Sequence, residues 1–407
     1  MRILHTSDWH LGKRLDTLSR FDEQVAVMDE IVRLADTHQV DAVLVAGDLF
    51  DTINPPIEAT HLLYKTLKRL THDGRRAVVA IAGNHDSPDR IEAPHPLAGE
   101  CGIVLAGYPH STVPALETDN GVRITRSLPG FVELTTPGCD HPLRLLLTPY
   151  ANEMRLRTCL GVDDKEQALR EVLRCHWLDM AQTHCDAHGV NVLMTHLFMI
   201  QQGAPLPEEP DDEKPILYVG GAQPVFTADV PQGVQYVALG HLHRRQTIDT
   251  APCPVVYSGS PLAYSFSEAN QDKYAMLVDV QPGAQAVVTP LPLTSGKRLL
   301  RQRFTSVDDA VAWLAEHQQV YVELTLVSDT YLTADDRKRL YAAHPHIVTL
   351  IPEVSHQALN PTGQRAAIDP AQSTDALFID YFRSRNNGQE PNEQLMGLLR
   401  EVLAKDE

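Results

Sequence analysis

The chain has 407 residues, 43% of them hydrophobic and 22% charged, with 35 Lys and Arg against 53 Asp and Glu, a formal charge of −18. This length predicts two or three domains with a substantial core, and the acidic balance excludes a protein that coats nucleic acid unaided, since phosphate binding needs clustered Lys and Arg. No apolar run approaches the roughly 20 residues of a membrane span and the start carries no basic-then-apolar leader, so the expected location is the cytoplasm, with no membrane involved.

In chain order, Arg2 to Thr6 predicts a short strand, and Val25, Met28, Ile31, Val32 and Ala35 recur at helical spacing between Arg20 and His38. Asp41 to Asp48 is an apolar run ending in Gly-Asp, the pattern of a strand buried on both faces. A helix follows Pro55-Pro56, with Leu63, Leu67 and Leu70 on one face and Gly74 as its stop. Ala77 to Asp86 repeats the strand with a polar ending. Two βαβ units result, the start of an open α/β sheet. Short strand-like pieces between Gly102 and Tyr150 include Leu143 to Leu147, and a helix is predicted from Asp164 to His188. Further strands are predicted at Val190 to Met194, Val234 to Leu239 and Pro254 to Tyr257, with an exposed Pro-, Glu- and Asp-rich loop at Gln201 to Pro215. Lys273 to Val280 reads as a closing strand, after which Pro282-Gly283 and Pro290 to Gly296 punctuate the chain.

Beyond Gly296 the pattern becomes a compact αβαβ module: a helix at Val307 to Gln318, a strand at Val320 to Leu326, a helix at Ala334 to Ala343 and a strand at Ile347 to Ile351. A loop-like stretch, Pro352 to Gln372, leads to helices at Thr374 to Arg385 and Glu393 to Ala404. The expected division is 1–290, 296–355 and 370–407, with no internal repeat. Six scattered cysteines form no C-x-x-C pair, so reduced thiols are expected and neither a thiolate zinc site nor a disulfide framework.

The chemistry sits at strand ends. Asp8 and His10 follow the first strand, Asp48 and Asp51 the second, Asn84, His85 and Asp86 the third, His196 a later one, and His241 with His243 another. Alone, each motif has an ordinary reading. A D-x-H match arises by chance, Gly47-Asp48 is equally a turn with an Asp helix cap, and a lone His196 is more often a satisfied core histidine. In an open α/β sheet, however, ligands bind at the carboxyl ends of strands, so these side chains are expected to converge. Two carboxylates, an amide and four imidazoles suit two first-row divalent ions sharing a carboxylate, and such a pair serves phosphoester hydrolysis.

These residues resemble the calcineurin-like metallophosphoesterase superfamily, whose pattern is D-x-H, G-D-x-x-D, G-N-H-[DE], a lone H and G-H-x-H. Here it reads Asp8-Trp9-His10, Gly47-Asp48-Leu49-Phe50-Asp51, Gly83-Asn84-His85-Asp86, His196 and Gly240-His241-Leu242-His243. Within that superfamily, Arg2 to Gly12, Ala46 to Asp51 and Tyr257-Ser-Gly-Ser-Pro261 resemble the SbcD family, nuclease subunits of bacterial SbcCD complexes and counterparts of the eukaryotic Mre nuclease. The resemblance implies an α/β fold with a layered β-sandwich flanked by helices, a small α+β capping domain and C-terminal helices that dock on an ATPase partner. It implies one metal held by Asp8, His10, Asp48 and His243 and a second by Asp48, Asn84, His196 and His241. Manganese is the family's usual ion, with Mg2+, Fe2+ or Zn2+ as alternatives.

His85 is then the group that stabilises or protonates the leaving oxygen, and Asp86 either orients His85 or caps the following helix. Asp51 departs from many archaeal and eukaryotic relatives, which carry a histidine there. Lys13, Arg14, Arg20, Arg90, Arg244 and Arg245 lie near the motifs and either meet DNA phosphates or are ordinary surface charge. The implied function is a two-metal DNA nuclease subunit acting on double-stranded ends and hairpins with an SMC-like SbcC ATPase, as a homodimer within a heterotetramer, in DNA repair, recombination and replication. Two alternatives compete. A small-molecule phosphodiesterase or phosphatase shares the metal site but has no need of the residues after Gly296, and a non-catalytic scaffold is expected to have lost ligands.

Overall fold

The computed structural model describes residues 1–157, 165–204, 225–328, 332–354 and 374–385, with 391, 395–397 and 399. Most of the predicted loops at Gln201 to Pro215 and Pro352 to Gln372, and of the helix at Glu393 to Ala404, lies outside them. By internal contacts the chain divides into two units, Met1–Arg301 with Gln319–Glu323, and Gln302–Gln318 with Leu324–Glu407.

The first unit is built on two sheets. Strands β1 (Arg2–Thr6), β2 (Ala42–Val45), β3 (Ala77–Ile81) and β4 (Ile103–Ala106) run parallel. β12 (Lys273–Asp279) and β13 (Val287–Leu293) add antiparallel strands at the β1 side, giving the order β13-β12-β1-β2-β3-β4. Between them in sequence come β5 (Arg123–Leu128), β6 (Phe131–Thr135), β7 (Leu143–Thr148), β8 (Val190–Thr195), β9 (Tyr236–Leu239), β10 (Gln246–Asp249) and β11 (Val255–Tyr257). These form the second sheet in the order β10-β11-β9-β8-β7-β6-β5, with β7, β8, β9 and β11 mutually parallel.

Because every residue of β2, β3 and β8 is buried, alternate side chains feed separate cores. Ile3, Leu44 and Val79 of the first sheet join Leu145, Val192 and Ala238 of the second in one apolar layer. On its opposite face the first sheet packs Leu4, Val43 and Val78 against Val27, Met28 and Ile31 of α1 (Phe21–Thr37) and Leu63, Leu67 and Leu70 of α2 (Ile57–Leu70). The outer face of the second sheet packs Leu146, Leu193 and Val237 against Leu173, Trp177 and Ala181 of α3 (Lys165–His184). The unit is thus a β-sandwich with helices outside, as sheets buried on both faces require.

Two elements differ from the sequence reading. Pro290 and Pro292 lie inside β13 rather than ending the sheet. They are two residues apart at a sheet edge, where their missing N–H groups face away from the partner strand. In addition, β14 (Arg298–Phe304) precedes the predicted αβαβ module. Its charged residues Arg298, Arg301 and Arg303 hide the strand pattern, since only Leu299 is fully buried.

With α4 (Val307–Glu316), β15 (Val320–Ser328), α5 (Ala334–Ala343) and β16 (Ile347–Val354), the order becomes βαβαβ, on a three-stranded sheet β14-β15-β16. The helix starts follow from local caps: Ser306 accepts from Asp309 N–H, and Thr333 and Asp336 bond reciprocally. A last helix, α6, spans Thr374–Arg385. Among the described residues no helix is long and apolar enough to cross a membrane, and the five described cysteines are free.

Candidate metal centre

The loops after β1 and β2 leave the sheet side by side. Asp8 N–H donates to Gly47 O at 2.9 Å, His10 N–H to Asp48 O at 3.0 Å and Leu11 N–H to Leu49 O at 3.1 Å. Asp8, His10 and Asp48 adopt φ of 53°, 43° and 48°, a left-handed conformation that costs a non-glycine residue roughly 1–3 kcal/mol. Between the first two, Trp9 is fully buried in the helix-side core and donates from Nε1 to Thr6 Oγ1 at 3.1 Å. The intervening indole is an anchor for the turn that carries Asp8 and His10.

Loops from the second sheet meet these. His196, after β8, is held by Nδ1 on Ala46 O at 2.8 Å, and the backbone N–H of His241, after β9, donates to Asp8 Oδ1 at 3.0 Å. The approach is close enough to demand glycine. A Cβ on Gly83 would collide with Asp48 Oδ1, and one on Gly240 with Ala46 O.

The seven predicted ligands come together from five strand ends. Ligand atoms of Asp8, His10 and His243 form one cluster and those of Asp8, Asp48 and His196 another, each within 4.8 Å. Asp48 Oδ2 lies between the clusters, 3.5 Å from His10 Nε2 and 3.3 Å from His196 Nε2. Asn84 Oδ1 stands 3.0 Å from both His196 Nε2 and His241 Nδ1. Asp8, His10, Asp48, His196 and His243 are all buried.

Electrostatics argue that the set holds cations. Burial pushes Asp8 up to about 6 and drives His241 down to about 3. Burial also opposes charge on Asp48 and His196, but their mutual attraction outweighs it, holding Asp48 well below the carboxylate range and pushing His196 up to about 9. His10 Nδ1 is buried without a hydrogen-bond partner, and His10 Nε2 faces His243 Nε2 at 2.9 Å, so at least one of these two nitrogens must present a lone pair. A mixed N and O donor set with two buried carboxylates fits two divalent cations.

The remaining predicted residues divide. His85 lies at the cluster, its ring 4.9 Å from that of His10, with Nδ1 on the carbonyl of Asp51 at 2.8 Å and its N–H on Asp48 Oδ1 at 2.9 Å. Asp86 acts on the loop backbone and is not the cap of the following helix. Its carboxylate accepts from Leu49 and Phe50 N–H at 3.0 Å each and from Gly83 N–H at 2.8 Å, while Ser87 is the N-cap residue of the next helix, which has no side-chain cap. Asp86 therefore pins the second loop to the third.

Among the basic residues, Arg20 is corrected from a phosphate contact to a structural group. Its side chain is buried, donating to Ala263 O at 2.8 Å and paired with Glu23. Lys13 pairs with Asp51 at 3.2 Å over the Tyr264 ring, so the unusual acid at position 51 has a cation beside it. Arg14 bonds back to Thr17 O, Arg90 donates to Asn54 Oδ1 at 3.1 Å, Arg245 lies over the Tyr274 ring and Arg244 is exposed.

Sequence reasoning missed several supports. Glu268 Oε1 lies 3.6 Å from His243 Nδ1, and the same buried carboxylate bonds Lys273, Ser260 and the N–H of Tyr264. A carboxylate behind a ligating imidazole fixes its orientation and raises its basicity. Ser7 donates to Asp8 Oδ2, and the Tyr264 hydroxyl to Trp9 O. Glu268, Tyr264 and Lys273 lie in no motif. The one local signal was Ser7, adjacent to Asp8.

The fold and site define a metallophosphoesterase, and a family model described as calcineurin-like phosphoesterase matches residues 1–245. The chain is 35% identical over 414 residues to the SbcD component of nuclease SbcCD from Bacillus subtilis, covering 99% of this chain and 98% of that protein. It is 32% identical over 295 residues to the component of the same name from Rhodobacter capsulatus, covering 72% of this chain and 69% of that one. A dimetal phosphatase from Danio rerio is similar in structure with a TM-score of 0.38 and 11% identity, over 73% of this chain and 99% of that chain. The chain belongs to the calcineurin-like phosphoesterases and, within them, to the SbcD family.

Proposed function

We propose that this chain is the catalytic subunit of a two-metal DNA nuclease. The observation that carries the reading is the convergence of Asp8, His10, Asp48, Asn84, His196, His241 and His243 on one end of the sandwich, in a chain similar over almost its whole length to a nuclease subunit. Asp8, His10, Asp48 and His243 would hold one ion, and Asp48, Asn84, His196 and His241 the other. Manganese suits the imidazole-rich, carboxylate-containing set. Bound there, the two ions supply positive charge at the scissile phosphate and acidify water for attack.

The protein's own part is positional. Asp51 O accepts from Nδ1–H of His85, so Nε2 is the nitrogen that would carry the second proton of the imidazolium form and pass it to the departing oxygen, leaving the ring neutral. Glu268 orients His243, and Asp86 ties the loops that carry Asp48 and His85. Lys13, Arg14, Arg90, Arg244 and Arg245 border the site and meet the phosphates of double-stranded ends and hairpins. Residues 1–290 form the nuclease domain, 296–355 the capping domain and 370–407 the segment that docks on an SbcC-type, SMC-like ATPase. The partner carries much of the DNA grip, which the acidic balance of this chain calls for. The assembly is a cytoplasmic heterotetramer containing two copies of this chain.

The test is hydrolysis of linear duplex DNA by the purified protein with Mn2+, with and without the ATPase, beside a small phosphodiester. Cleavage of duplex is expected, and turnover of the small ester alone would sink the nuclease reading. Asp48→Asn removes the shared ligand and is expected to cost more than the roughly 10–100-fold of an outer-shell change.

A further inference from the structure

Arg155 belongs to no motif named above and lies outside the metal-ligand clusters found among the described residues, yet its guanidinium is spent on the loop that carries Asn84 and His85. Nη1 donates to Gly83 O at 2.7 Å, and Nη2 to Asp86 O at 2.8 Å and Asn84 O at 3.3 Å. Three carbonyls within four consecutive residues are gathered by one planar fork, which a lysine's single ammonium cannot reproduce. The guanidinium itself is held from behind. Its carbon lies 5.1 Å over the Tyr150 ring, and its own backbone N–H is fixed by the Asn152 side chain at 2.8 Å, the cap of the short helix Glu153–Leu156. Tyr150 N–H in turn donates to Ala82 O at 2.9 Å. Residues 150–155 therefore form a template along which 82–86 is laid, anchored at Ala82, Gly83, Asn84 and Asp86.

We infer that Arg155 is a positioning residue of the site, acting through the backbone of Gly83–Asp86 to set Asn84 as a metal ligand and His85 as proton donor. Asp86 holds the same loop from its other side through Leu49, Phe50 and Gly83, so the loop is clamped between a carboxylate and a guanidinium. Asn84 is the sole ligand this loop supplies, and it belongs to the second ion only. Loss of Arg155 is therefore selective, weakening one ion and sparing the one held by Asp8, His10, Asp48 and His243. The inference rests on the two-metal reading above and deepens it.

The experiment is Mn2+ titration of the full chain by calorimetry, with electron paramagnetic resonance to separate coupled ion pairs from single ions, and with thermal melting as a control. Wild type is expected to bind two ions. Arg155→Ala is expected to keep the ion held by Asp8, His10, Asp48 and His243 and to weaken the second by about 10–100-fold, with loss of the coupled-pair spectrum and a fall in kcat on duplex DNA at unchanged KM. Arg155→Lys, which keeps the charge, is expected to lie between the two, and it serves as the test if Arg155→Ala does not fold. Two equally tight ions in either folded variant, with a wild-type spectrum and kcat, would overturn the inference. So would a change confined to KM, which would make Arg155 a substrate contact. Fewer than two ions in wild type would instead overturn the two-metal reading.

Discussion

Asp86 and His85 are adjacent in sequence and opposite in role. Asp86 is fully buried and accepts from three backbone N–H groups, so Asp86→Ala leaves up to three buried donors unpaired, each worth about 1–3 kcal/mol. A drop in unfolding free energy of roughly 3 kcal/mol or more is expected in urea titration, with Mn2+ binding lost alongside it. His85→Ala is expected to do the reverse, retaining stability and metal while slowing DNA hydrolysis by about 10²–10⁴-fold, the usual worth of a general acid. Equal destabilisation by the two variants would refute the division. The ligand types were legible in the sequence because each follows an apolar strand, and strand ends in such sheets share one edge. Asp86 was legible as a site residue but not in role, because its partners are main-chain amides of a loop 37 and 36 positions away, which no side-chain spacing records. Glu268 and Arg155 were illegible for a related reason, reaching the site from segments that carry no motif.

At the scale of elements, the buried parallel strands and the two large helices were readable from apolar runs and periodicity, whereas β13 and β14 were not. Prolines on an edge strand and arginines on a half-exposed one imitate loop composition, and only the neighbouring strand reveals the pairing. The turn after β13 shows how such an element is secured. Glu30 of α1 accepts from Thr294 N–H at 2.9 Å and hydroxyl at 2.9 Å and from Ser295 N–H at 2.9 Å. Burial alone would raise its pKa, but these hydrogen bonds from Ser295 and Thr294 together outweigh burial and hold it below the ordinary glutamate value. A folded pKa below the unfolded one means that the native state resists protonation, so the contribution is complete above the unfolded value, near 4.3, and disappears as pH falls through the folded one. Wild type is expected to melt above Glu30→Gln at neutral pH, with the gap closing in acid below that value. A gap independent of pH, followed by calorimetry, would show that the carboxylate charge is not what holds the turn.

For the molecule as a whole, the seven proposed ligands stretch from Asp8 to His243 and arrive from both sheets, so a cation bound among them would join chain segments that are unconnected in the unfolded state. Metal then stabilises the fold by mass action, by about 2.7 kcal/mol when free ion exceeds Kd a hundredfold. For a large domain one kcal/mol moves the melting temperature by about 2–4 °C, so removal of metal by chelation is expected to lower Tm by roughly 5 °C or more. Two further features identify the origin of the shift. Tm should rise with the logarithm of Mn2+ concentration above Kd, since linkage adds a constant free energy per decade of free ion. Asp48→Asn should lose most of that dependence, because its Oδ2 is the atom facing both His10 and His196. A Mn2+ shift of equal size in Asp48→Asn would place the stabilising ions elsewhere on this acidic chain, where exposed carboxylates bind cations weakly, and would detach the stability of the sandwich from its metal centre.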